Sequence, residues 1–115
     1  MTQLLFAATL ILQLASTVSI VGGSRMVQFG FDVSPNHPGF IPLDVDIDWR
    51  GQRLPATVWN LSGPKTGELR INGRASAHLV VTGTGKYVVQ VVVSDGGEIQ
   101  SDSVTIEVRR SAHSQ

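Results

Sequence analysis

The sequence contains no cysteine. Disulfides, zinc–thiolate sites, iron–sulfur clusters and thiol catalysis are thereby excluded. Small secreted domains often rely on disulfides, so this absence tilts the expectation towards an intracellular protein. Charge is scarce too, at 16% of residues, where about a quarter is usual. Nine basic and nine acidic residues cancel to a formal net charge of zero. Arg109-Arg110 is an adjacent basic pair, but no basic stripe of the kind that binds nucleic acid is present. A neutral chain lacks the repulsion that keeps copies apart. Low charge also leaves less solvated surface than a monomer needs, which favours burial against a partner.

Long hydrophobic runs are missing as well. The longest, Leu4 to Leu14, falls short of the about 20 residues that span a bilayer as a helix. It resembles the apolar core of a secretory signal. However, no Lys or Arg precedes it, and Gln13 and Leu14 stand where small residues are wanted before Ala15 and Ser16. A buried β-strand over Leu4–Leu12 is the expectation, with a short buried helix or a cleaved signal sequence as the alternatives. A cleaved signal would make the protein a secreted one.

What is present is period-2 alternation. At 115 residues and 42% apolar, the chain suits one domain with a real core. That domain is expected over residues 1–110, with a frayed tail over 111–115. In Leu43–Arg50, Leu43, Val45, Ile47 and Trp49 point one way, and Asp44, Asp46, Asp48 and Arg50 the other. This is a strand with one wet face. Gly51-Gln52-Arg53 then turns the chain into a second strand over Leu54–Leu61, and the two are expected to pair as a hairpin. Trp49 is expected to plug the core. Trp59 shares its face with Thr57 and Leu61, against Leu54, Ala56 and Val58, so its side is left open.

Further strands are expected at Val18–Ile20, closed by Gly22-Gly23, and at Glu68–Asn72, with Leu69 and Ile71 inward. Another covers Ala75–Val81, with Ser76, His78 and Val80 outward. Tyr87–Ser94 follows, closed by Asp95-Gly96-Gly97, and Ser103–Arg109 comes last. About eight strands with turn signals at short spacing predict an all-β sandwich.

Gly85-Lys86-Tyr87-Val88-Val89-Gln90-Val91-Val92-Val93-Ser94-Asp95-Gly96-Gly97, followed by Ser101–Val108, resembles the closing hairpin of PKD-like and other immunoglobulin-like domains. There a Gly-x-Tyr opens a valine-rich strand and an Asp-Gly turn returns it. Trp49 is followed by Arg50-Gly51-Gln52, which departs from the Trp-x-Phe-Gly-Asp-Gly run of PKD domains. The whole chain is also similar to a family of short bacterial β-sandwich proteins that begin on an apolar strand, pass through a segment like Ile20-Val21-Gly22-Gly23 and end on a Gly-x-Tyr strand. The resemblances imply a single immunoglobulin-like antiparallel β-sandwich, and the second of them a cytoplasmic or particle-associated protein.

Catalytic and metal chemistry finds little support. Asp44, Asp46 and Asp48 share a strand face, but neighbours there lie about 6.8 Å apart. A calcium ion needs its oxygens at about 2.4 Å, so a solvated face is expected. His37, His78 and His113 have no metal-ligand spacing. No Gly-x-Ser-x-Gly elbow occurs. Gly83-Thr84-Gly85-Lys86 lacks the Ser or Thr and the helix of a phosphate loop. Asn60-Leu61-Ser62 fits a glycosylation sequon, which matters only in a eukaryotic secretory pathway.

No enzyme and no cofactor are therefore expected. The expected function is that of a structural or protein-binding module that self-associates or joins a larger assembly. The alternative is a secreted or cell-surface adhesion domain for protein or carbohydrate. Candidate interface residues are Val88 and Val92, which point away from the core face of Tyr87, Val89, Val91 and Val93, together with Val80 and Trp59.

Overall fold

The computed structural model describes residues 15–111. Within them the chain forms β1 Thr17–Ile20, β2 Arg25–Gln28, β3 Gly39–Asp48, β4 Ala56–Ser62, β5 Gly67–Ile71, β6 Ser76–Val81, β7 Gly85–Ser94 and β8 Ile99–Arg109. They make two four-stranded sheets, ordered β1-β3-β6-β5 and β2-β8-β7-β4. Pairing is antiparallel except where β2 lies parallel to β8, with Arg25 opposite Ile106. One sheet thus has the strand plan of the four-stranded sheet of an immunoglobulin constant-type domain, and β4, β7 and β8 have the plan of its three-stranded sheet. β2 adds an edge to the latter. The domain is an immunoglobulin-like β-sandwich.

The core follows from the alternation. Ile41, Leu43 and Val45 of β3 are buried, as are Ala77, Leu79 and Val81 of β6. Across the gap lie Tyr87, Val89, Val91 and Val93 of β7 and Val104, Ile106 and Val108 of β8. Each fully buried side chain of this size contributes about 1.5–3 kcal/mol. The Tyr87 hydroxyl donates to the Gly83 carbonyl at 2.8 Å and lies 2.6 Å from Thr66 Oγ1. This is the tyrosine corner of immunoglobulin-like sandwiches, which in antibody domains stands two residues before a disulfide cysteine. Val89 occupies that place here, so apolar packing stands where that disulfide would be. Gly67 is required beside the ring, because a Cβ there would come within 2.5 Å of Tyr87 Cε1.

Several expectations need correction. The segments 43–50 and 54–61 do not form a hairpin. Both edges of β3 are taken by β1 and β6, and the chain crosses to the other sheet, where β4 pairs with β7. Trp59, not Trp49, packs in the core at 8% exposure. Trp49 is half-buried at the rim, and its Nε1–H donates to Asp95 Oδ2 at 3.2 Å. Ile71 was expected inward and is 55% exposed, because it ends an edge strand. Val80 was expected outward and exposed. It does face outward, but it is only 4% exposed between its cross-strand neighbours Phe40 and Glu68.

β2 went unrecognised, and β8 begins four residues earlier than Ser103. The expected strand over Leu4–Leu12, its signal-sequence alternative and His113 lie outside the described residues. Ser111, expected to begin the tail, is 6% exposed, and its N–H reaches Asp32 Oδ1 at 3.3 Å.

Candidate functional site

The outer face of β4, β7 and β8 is laid out by strand register. Its rows are Ala56–Ser94–Ile99, Val58–Val92–Ser101, Asn60–Gln90–Ser103 and Ser62–Val88–Thr105. These twelve positions hold no charged side chain. Five are apolar, among them Val58 at 55%, Val88 at 36% and Ile99 at 65% exposure. Asn60 Nδ2 donates to Gln90 Oε1 at 3.4 Å across the middle row. Charge returns at one end of the face, where Lys86 stands opposite Glu107.

Of the four candidate residues, this face brings together Val88 and Val92. Trp59 lies on the inward side of β4, and Val80 lies on the other sheet. Ala56, Val58 and Ile99 are the apolar members that sequence reasoning missed. The signal for Val58 was present, since it alternates with Trp59, and an inward Trp59 places Val58 outside. Ile99 gave no signal, because the polar run around it hides the start of β8.

Polar groups gather at one end of the sandwich. Glu98 accepts from the Ser16 backbone N–H and from its hydroxyl, both at 2.9 Å. Ser16 Oγ in turn accepts from the Arg50 N–H at 2.8 Å. Asp95 accepts from the backbone N–H groups of Gly97 and Glu98 and from Trp49. The Gly97 and Glu98 bonds hold the Asp95 carboxyl below its ordinary pKa, and the Ser16 bond, with a contribution from Gln100, does the same for Glu98. These carboxylates are engaged in tying loops and strand ends, and among the described residues neither Ser16 nor Glu98 has a histidine partner.

The two described histidines lie elsewhere. His37 stacks on Phe31 with ring centroids 3.9 Å apart, and His78 Nδ1 meets Asn72 Nδ2 at 2.8 Å. Asp44, Asp46 and Asp48 are all exposed on β3, and Asp48 binds Arg50. Among the described residues no group of three or more His, Asp or Glu side chains is placed to hold a metal ion. Lys86 follows the β6–β7 loop into β7, so the glycine-rich segment before it is an interstrand connection.

No protein-family model matches this chain, and no curated protein sequence matches it. Solved structures similar in chain path include titin domain M7, at 14% identity and a TM-score of 0.46. The overlap covers 84% of this chain and 96% of that one. A chimeric titin Z1Z2 functionalised with a KLER peptide from decorin is similar at 12% identity and a TM-score of 0.44, over 84% of this chain and 98% of that one.

Proposed function

We propose that this domain is a non-catalytic protein-binding module that pairs with a second copy of itself through the outer face of β4, β7 and β8. The observation that carries this reading is the charge-free block of twelve registered positions. A sandwich has no second core outside its sheets, so an outward sheet face is ordinarily where charge is placed. A face of apolar and neutral polar groups with charge returning at its Lys86–Glu107 end has the anatomy of an interface. It is self-compatible, since pairing two such faces buries no charge and a chain of zero net charge opposes no approach.

From strand spacing and rise, the block measures roughly 400 Å². Two copies would bury about 800 Å² in total, which is at the weak, transient end of protein interfaces. Association is therefore expected at roughly 0.1 mM rather than nanomolar concentration. Sedimentation equilibrium over a concentration series should show the mass rising above the 12.3 kDa monomer. Val88→Lys with Val92→Lys should hold it at the monomer. A wild-type chain that stays monomeric up to about 0.5 mM, several times that expected dissociation constant, would overturn the reading.

A further inference from the structure

The outer face of the other sheet carries a cluster of a different kind. Pro42, His78 and Arg70 stand in one row across β3, β6 and β5, and Phe40, Val80 and Glu68 in the next. Phe40 is 51% exposed, so its ring adds little to the core. The Arg70 guanidinium carbon lies 5.9 Å from the centre of that ring, within cation–π range. Glu68 comes to Arg70 Nε only at 4.0 Å, and both side chains are more than half exposed. Such a pair is weak, and among the described residues it leaves the two Nη groups of the fork without a hydrogen-bond acceptor. Asn72 Nδ2 lies 2.8 Å from His78 Nδ1. With the amide donating to Nδ1, the imidazole proton sits on Nε2. Phe40, Arg70, Asn72 and His78 together line a surface hollow of about 320 Å³.

We propose that this hollow binds a small ring compound bearing a carboxylate, of which a hexuronic acid is the sugar form and a benzoic acid the aromatic form. The planar Arg70 fork matches a carboxylate with two parallel N–H bonds. His78 Nε2–H and the Asn72 amide supply single hydrogen bonds to ring substituents, and Phe40 supplies an apolar surface for the ring itself. At about 300 Å³ the hollow is at the small end of ligand sites, enough for one ring. A neutral sugar would leave the fork unfilled, and acetate would leave Phe40 uncovered. The site lies on the sheet opposite the proposed pairing face, so either reading can fail without the other.

The test is a titration of isotope-labelled full chain followed by NMR, with glucuronate, benzoate, glucose and acetate as separate probes. Glucuronate or benzoate should shift the Arg70, Asn72 and His78 signals at concentrations where glucose and acetate do not, and which of the two acts identifies the ring. Arg70→Ala should weaken that binding about tenfold, the equivalent of about 1.4 kcal/mol. Glu68→Ala removes a competing carboxylate from Arg70 and should strengthen it, so the proposal stays testable even if one variant folds poorly. Glucose or acetate binding as well as the ring acids, or no localised shift with any probe, would overturn it.

Discussion

The indole of Trp59 is packed in the core with its Nε1–H unmatched, and Thr57 Oγ1 on the same strand is unmatched as well. A buried polar atom without a partner costs about 1–3 kcal/mol. The two sites therefore predict opposite signs. Thr57→Val keeps the shape and removes the orphan hydroxyl, so it should leave stability unchanged or raise it by up to about 1 kcal/mol. Trp59→Ala empties a large volume and should cost about 3–5 kcal/mol. Tyr87→Phe removes the bond to the Gly83 carbonyl and should cost about 1–2 kcal/mol. Asp46→Asn on the wet face of β3 should change stability by about 0.5 kcal/mol or less. Urea denaturation of the four variants measures all of these. A Thr57→Val chain that loses 2 kcal/mol or more would show that the hydroxyl is satisfied in solution.

At the scale of elements, β1 and β8 explain each other. Glu98, just before β8, and Asp102 within it are acidic residues in step with the inward Val104, Ile106 and Val108. They are tolerated there because β1 brings them hydrogen-bond donors. Ser16 binds Glu98, and the Ile20 N–H donates to Asp102 Oδ2 at 2.8 Å. The four-residue β1 is thereby held by β3 on one side and by carboxylates of the opposite sheet. The pH dependence follows from the lowered Glu98 and Asp95 pKa values. A carboxyl whose folded value lies below its unfolded one adds stability that is fully present above the unfolded value. That stability is lost as pH falls through the folded value. Melting temperature should thus be flat near neutrality and fall below about pH 4.5, the ordinary glutamate value. Glu98→Gln should lower the melting temperature at pH 7, and the gap to wild type should shrink as pH falls below about 4.5 and through the lowered folded value of Glu98. A gap independent of pH would remove the charge from this account.

Across the whole molecule, most pairings join distant parts of the chain. Residue 25 meets residue 106, and residue 39 meets residue 81. Such closures must form before they are stabilised, so sandwiches fold in milliseconds to seconds rather than microseconds. Stopped-flow fluorescence of Trp59 and Trp49 should show folding on that timescale. A complete signal change in less than about 0.1 ms, the regime of local-contact helical bundles, would contradict the topology.

The sequence by itself determined the fold class and most of the core. Alternation specifies which side chains share a face, and Tyr87, Val89, Val91 and Val93 are buried as a set because a strand has period two. The same alternation made Asp44, Asp46 and Asp48 a wet face. It carries no information about which strand pairs with which. The partners of β3 and β4, the burial of Trp59 with Trp49 at the rim, and the parallel seat of β2 were decided by tertiary structure. The charge-free face and the Phe40–Arg70 hollow are likewise products of register between strands far apart in the chain. The face takes four residues from each of three strands and the hollow draws Phe40, Arg70 and His78 from three others, and patterns of that kind exist only once pairing between strands has set the rows.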